Sequence, residues 1–189
     1  MKLLEQAILE RGRVIGSDIL LVDTFLNHQV DVFLMQEIGK EFAAHFKKNQ
    51  IDRVATIESS GIAPAAFAAL FLEAPLVIMK KQASRILTGD LLAATVRSFT
   101  KGTQYELTVK RDFLPKGERV LFVDDFLASG EAAIGAKKLI DSAGAVLAGV
   151  GIVIEKSFQS GPERLREEGI ELYSLARIAS MQEGQILFH

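Results

Sequence analysis

Four apolar residues, Val120-Leu121-Phe122-Val123, run directly into two adjacent carboxylates, Asp124-Asp125. Phe126-Leu127 and a small-residue turn, Ala128-Ser129-Gly130, follow, and then Glu131-Ala132-Ala133-Ile134-Gly135-Ala136-Lys137-Lys138, which reads as a helix. A short apolar run bounded by turn signals suits a strand buried on both faces, the kind found in parallel sheets. The carboxylates then stand at the carboxyl end of a central strand, where open α/β sheets bind ligands. Free N–H groups at the helix start form an anion site, reinforced by the helix dipole. Carboxylates beside an anion pocket suit a ligand carrying both hydroxyls and a phosphate, such as a sugar phosphate.

The rest of the chain supplies partners for that strand. Leu3 to Glu10 reads as a short helix stopped by Gly12, and Ile19 to Val22 as an apolar run before a polar corner at Asn27-His28-Gln29. Asp31 is placed to cap a helix from Val32 to Lys48, in which Leu34, Ile38, Phe42 and Phe46 share one i+4 row. Arg53 to Ile57 and Leu76 to Met79 read as strands joined by an Ala-rich helix from Ile62 to Phe71, a βαβ unit. From 80 to 118 the periodicity weakens. Leu87 to Phe99 shows no clear pattern, and Glu106 to Lys110 alternates like an exposed strand. A long connection of this kind is usually functional, often a lid. After the motif helix, Val146 to Glu155 and Leu172 to Ala176 read as strands, with a helical turn at Glu163 to Glu168 and an edge strand at Gln185 to Phe188. The pattern predicts an α/β fold, with an open, mainly parallel sheet flanked by helices.

Composition narrows the function. The 189 residues, 49% hydrophobic, provide one sizeable core and leave little room for two domains. A net charge of −2 without a basic cluster argues against nucleic-acid binding. There is no cysteine, hence no disulfide framework or thiolate chemistry. The start Met1-Lys2-Leu3-Leu4-Glu5 reaches a carboxylate too early for a signal peptide, and no apolar run spans a bilayer, so no membrane role and a cytoplasmic location are expected. His28, His45 and His189 lack metal-ligand spacing.

Other residues fall beside the motif. In Glu58-Ser59-Ser60-Gly61, which follows the first core strand, hydroxyls and a glycine suit a second anion, although the same residues also make an ordinary helix-capping turn. Lys80 and Lys81 end one core strand and Lys156 another. Each also reads as a solvated charge. Phe158 suits stacking on a flat ring or plain core packing.

The run from Val120 to Ala132 resembles the phosphoribosyl-pyrophosphate (PRPP) motif of type I phosphoribosyltransferases. That family's loop is usually Ala-Thr-Gly-Gly-Thr. Ala128-Ser129-Gly130-Glu131-Ala132 is closer to the Ala-Asn-Gly-Gln-Ala of the family's bacterial, xanthine-specific branch. The likeness extends to Asp23-Thr24-Phe25-Leu26-Asn27-His28-Gln29, to Ile57 through Pro64 and to Ile152 through Gln159, and covers essentially the whole chain. It implies a single domain over 1–189 with an N-terminal hood over about 1–30 and a flexible lid over about 80–118. It implies transfer of ribose 5-phosphate from PRPP to xanthine in purine salvage, with Mg2+ as cofactor and a homodimer as the assembly. By resemblance, Asp124 and Asp125 are catalytic and 128–132 hold the ribose phosphate. Ser59, Ser60, Gly61 and Lys81 meet pyrophosphate, and Leu20, Asn27 and Lys156 meet the base. Glu131 is expected to turn its carboxylate away from the phosphate while offering its N–H. The alternatives are a guanine, hypoxanthine or adenine enzyme, a PRPP-sensing transcription regulator, and a nucleotide-binding subunit without turnover.

Overall fold

The alternation of apolar runs and amphipathic stretches becomes a sheet with helices on both faces. In the computed structural model, residues 1–81, 90–97, 104–182 and 184–189 are described. The chain starts with α1 (Lys2–Arg11) and a small antiparallel hairpin of β1 (Arg13–Ile15) and β2 (Ile19–Leu21). A wide helical turn over Asp23–Asn27 leads to α2 (Val32–Phe46). Then come β3 (Arg53–Ile57), α3 (Ile62–Leu72) and β4 (Leu76–Met79). A second hairpin, β5 (Leu91–Arg97) and β6 (Gln104–Lys110), precedes β7 (Arg119–Leu127) and α4 (Glu131–Ala143). The chain closes with β8 (Val146–Lys156), α5 (Gly161–Glu167), β9 (Leu172–Gln182) and β10 (Gln185–Phe188).

The main sheet has the order β10-β9-β8-β7-β3-β4, all parallel except β10. From β3 the chain winds outward to β4; from β7 it winds the other way, to β8. The boundary between β3 and β7 is therefore the switch point at which a crevice opens beyond the strand ends. Leu121 and Val123 of β7 pack toward α1, α2 and α3, while Val120 and Phe122 pack toward α4, α5 and the second hairpin. This two-sided burial accounts for the uninterrupted apolar run. Asp31 caps α2 as expected, accepting from Leu34 N at 3.2 Å, and Arg11 Nη1 binds the same carboxylate at 2.7 Å. The row Leu34, Ile38, Phe42 and Phe46 is buried, each side chain contributing about 1.5–3 kcal/mol of transfer free energy.

The stretch 80–118 differs from expectation. Leu91–Arg97 is a strand, and the hairpin lies on α4 with Leu92, Val96, Leu107 and Val109 buried. The strand escaped notice because apolar residues also occupy the outward positions Leu91 and Ala93, hiding the period of two. Nor is β6 an exposed strand: Leu107, Thr108 and Val109 are all buried. The remainder of the expected lid, residues 82–89 and 98–103, lies outside the described residues. Among the described residues, no helix is long and apolar enough to cross a membrane.

Candidate active site

Asp124 and Asp125 leave the apolar part of β7 at the switch point. Asp124 is buried, and its Oδ1 accepts from the N–H of Asp125 at 3.0 Å. Burial first, and the neighbouring Asp125 second, hold its carboxyl well above the ordinary carboxylate range, with Lys81 opposing. Two acids facing one another with little compensation suit hydroxyl donors or a cation. Among the described residues no cluster of three or more His, Cys, Asp or Glu could cage a metal. A pair of carboxylates fits Mg2+, which keeps several waters and takes most other ligands from a substrate's phosphates.

The loop after β7 is shaped by Gly130, whose φ of 82° favours glycine. Among the described residues, no backbone carbonyl accepts from the N–H groups of 129–133, and α4 starts without a side-chain cap. These donors are the ingredients of an anion site. The back of the loop is held by α5. Gly161 N donates to Ala128 O at 2.9 Å, and Arg164 Nη1 donates to Ser129 O at 2.6 Å and to Glu131 Oε1 at 2.8 Å. The Glu131 carboxylate is thus occupied by a guanidinium.

Across the crevice, Ser59, Ser60 and Gly61 follow β3, with a cis peptide at Glu58-Ser59. Glu58 accepts from Lys80 Nζ at 3.1 Å and from Lys81 N at 2.7 Å. Burial raises its carboxyl, but these bonds outweigh it and leave the group below its ordinary value. Lys80 is therefore spent on the loop's own acid. The Lys81 ammonium lies 6.0 Å from the Tyr105 ring. Gly61 is set against Asp124 and Thr56, so the 58–61 loop packs on the first acid of the pair.

The residues assigned to the base come from separate elements. Lys156 ends β8, its Nζ bonded to the backbone carbonyl of Asp18 in the first hairpin and 5.4 Å from the Phe126 ring. Burial pushes this ammonium below its ordinary range, partly opposed by Asp18. Leu20 is buried on β2, and Asn27 is exposed at the end of the wide turn. Phe158 is 42% exposed and so is not core. His28 and His189 are exposed, whereas His45 stacks on Tyr173 with centroids 3.7 Å apart.

Four neighbours of the site carry no mark in the sequence. Arg164 reaches the 128–132 loop from a stretch that reads only as a helical turn. Thr56 Oγ1 is buried and, among the described residues, without a hydrogen-bond partner. Phe126 reads as part of an apolar run but faces Lys156. Tyr105 comes from the second hairpin, and burial, then Asp124 and Glu131, raise its phenol.

The family described as Phosphoribosyl transferase domain matches residues 33–167. A Clostridium botulinum (strain Eklund 17B / Type B) protein named xanthine phosphoribosyltransferase is 53% identical over 98% of both chains. A Bacillus cereus (strain G9842) protein of the same name is 50% identical over 100% of this chain and 95% of its own. Among solved structures, adenine phosphoribosyltransferase from Rhodothermus marinus superposes with a TM-score of 0.76 at 21% identity, over 94% of this chain and 100% of that one. The Trypanosoma brucei enzyme, in complex with AMP, pyrophosphate and ribose-5-phosphate, gives 0.78 at 19% identity, over 92% and 79%. At such identities the two structures speak for the fold alone. The parallel sheet, the acid pair at its switch point, the family match and the full-length relatives agree: the chain belongs to the type I phosphoribosyltransferase family.

Proposed function

We propose that this protein transfers the phosphoribosyl group of PRPP to xanthine, forming xanthosine monophosphate and releasing pyrophosphate. The observation that carries the transfer is the acid pair Asp124-Asp125, with the Ser59-Ser60-Gly61 loop packed on Asp124 and, three residues after Asp125, a loop whose N–H groups meet no backbone carbonyl among the described residues. The choice of xanthine draws on the relatives named for that activity, at 50–54% identity over nearly their whole length.

In the reaction the C1–O bond to pyrophosphate breaks, the leaving group keeps the electron pair, and a ring nitrogen of the base bonds to C1 and releases its proton to solvent. Positive charge develops on the ribosyl ring, so no protein nucleophile is needed. Asp125 and Asp124 accept from the ribose hydroxyls and face the developing charge. Residues 128–132 hold the ribose phosphate, and Ser59, Ser60, Gly61 and Lys81 receive pyrophosphate. Asp124 and Asp125 would hold Mg2+ brought with PRPP, and the ion would supply charge neutralisation for pyrophosphate. The catalytic contribution is positioning and preorganised electrostatics. Lys156 turns its ammonium to the oxo groups of the base, Asn27 offers a donor and an acceptor to its imide edge, and Leu20 lines the pocket. Residues 1–30 act as a hood and 80–118 as a lid within one catalytic unit, and the working assembly is a cytoplasmic homodimer.

The test is a panel of xanthine, guanine, hypoxanthine and adenine with PRPP and Mg2+, with the nucleotide product identified. Xanthosine monophosphate as the preferred product supports the proposal. Preference for another base overturns the choice of xanthine, and no pyrophosphate release from any base overturns the transfer itself.

A further inference from the structure

We infer that Arg164 is a positioning residue for the phosphate loop: it turns a peptide of that loop toward the ligand and cancels the charge of Glu131 beside the anion. The inference rests on the reading of 128–132 as the site of the ribose phosphate.

The argument begins with two carbonyls. Ala128 O accepts from Gly161 N at 2.9 Å, and Ser129 O accepts from Arg164 Nη1 at 2.6 Å. Both peptides are trans, since the chain's cis bond among the described residues lies at Glu58-Ser59. In a trans peptide the C=O and the following N–H point in opposite directions. Holding the Ala128 carbonyl toward α5 therefore aims the Ser129 N–H away from Gly161. Holding the Ser129 carbonyl aims the Gly130 N–H away from the guanidinium. Two successive N–H groups directed away from the scaffold form an anion-binding concavity. Close packing fixes the arrangement. A methyl on Gly161 would stand 3.0 Å from Gly130 N and 2.9 Å from Leu127 Cδ1, and closer still to Ala128 O.

Charge supplies the second half. Glu131 is the first residue of α4 and follows the loop directly. A free carboxylate there would repel a phosphate dianion. Arg164 Nη1 donates to its Oε1 at 2.8 Å, with the two side chains only 35% and 31% exposed. One guanidinium nitrogen thus serves the loop carbonyl and the adjacent acid together. The pair is local to the phosphate end: among the described residues, the contacts of Arg164 include neither the acid pair nor the base-side residues.

The test compares wild type, Arg164→Met, Glu131→Gln and the double variant, each checked for folding by circular dichroism. Ribose 5-phosphate and, separately, pyrophosphate are titrated calorimetrically, and KM and kcat are measured for PRPP and xanthine. Arg164→Met should weaken ribose 5-phosphate and raise KM for PRPP by about tenfold or more, the loss expected when a charged hydrogen bond leaves an acid unpaired. Pyrophosphate affinity and KM for xanthine should hold. Adding Glu131→Gln to Arg164→Met should restore the larger share of the loss, and added salt should narrow the gap between Arg164→Met and wild type. A merely structural role predicts no such rescue. Arg164→Gln, which keeps a donor for Ser129 O without the charge, carries the same test should Arg164→Met fail to fold. A folded Arg164→Met or Arg164→Gln with unchanged ribose 5-phosphate affinity, or a double variant no better than its Arg164 parent, overturns the inference. Failure of the wild type to bind ribose 5-phosphate instead overturns the reading of the loop on which it stands.

Discussion

Replacing Gly61 by alanine sets two opposed effects against each other. Gly61 precedes α3 with φ −69° and ψ −13°, a conformation that alanine adopts freely. On backbone grounds the substitution stabilises by about 0.4–1 kcal/mol, because the unfolded chain has fewer states to lose. Space decides against it. The added methyl would stand 2.7 Å from Asp124 Oδ1, and closer still to Thr56 Oγ1. Both neighbours are buried, on the adjacent strands β7 and β3, so neither can swing aside. Ordinary contact starts at 3.4 Å, so the carboxylate must retreat by about 0.7 Å, or the 58–61 loop by more to clear Thr56 as well. Overpacking of this kind costs about 1–3 kcal/mol, which outweighs the backbone gain. The net loss in urea unfolding is then about 0–2.6 kcal/mol. If Asp124 acts on the substrate as proposed, a displacement of this size costs activity more heavily, on the order of 10²-fold in kcat/KM. Gly61→Ala is thus expected to fold, unfold slightly earlier in urea, and turn over poorly in a pyrophosphate-release assay. A variant more stable than wild type with an unchanged kcat/KM would refute the packing of this loop on Asp124 as the source of its geometry.

Asp125→Asn should fold and lose about 2–4 kcal/mol of transition-state stabilisation, the scale of a lost preorganised contact; kcat/KM near wild type would remove Asp125 from the site. Lys156→Ala should cost about 1.5–3 kcal/mol in the binding of xanthine, read as KM at saturating PRPP; a variant that weakens PRPP alone would move Lys156 to the phosphate side. Asp124 governs a pH effect whose sign follows from its raised pKa. The folded state holds this proton more tightly than the unfolded chain does. The stabilisation is complete below the unfolded carboxylate pKa of about 3.9 and is lost as pH rises through the higher folded value. Urea midpoints measured across pH should fall less steeply for Asp124→Asn than for wild type; equal slopes would show that Asp124 ionises in the fold as freely as in water.

The sheet and the acid pair were legible because their signals are local. An apolar run ending in two acids fixes a strand and its ligand end within a dozen residues, and Asp31 with the Leu34 row does the same for α2. What escaped depends on packing between distant segments. β5 was hidden by Leu91 and Ala93, apolar residues on its outward side. Arg164 stands beside Glu163, Arg166 and Glu167, and nothing nearby in the chain distinguishes it from them. Only the fold brings it to Ser129, 35 positions earlier. Thr56 and Phe126 sit within strands whose patterns they satisfy, so their exceptional surroundings leave no trace in periodicity. Glu131 is the reverse case. A carboxylate at the end of a loop proposed to hold phosphate would oppose that role, and Glu131 is paired with Arg164.

The loops proposed for the two phosphate ends of PRPP hang from β3 and β7, which pair from Arg53↔Val120 to Ala55↔Phe122. Paired strands lie about 4.8 Å apart, a spacing set by peptide hydrogen bonds alone. The span between the leaving group and the ribose phosphate is therefore measured by a ruler that contains no side chains. Core substitutions under the helices can lower stability without changing its length. Leu20, Asn27 and Lys156, proposed to meet the base, come from β2, the turn after it and β8, and lie off the ruler. If they read the base as proposed, one purine can be exchanged for another there while the distance across the sugar stays constant.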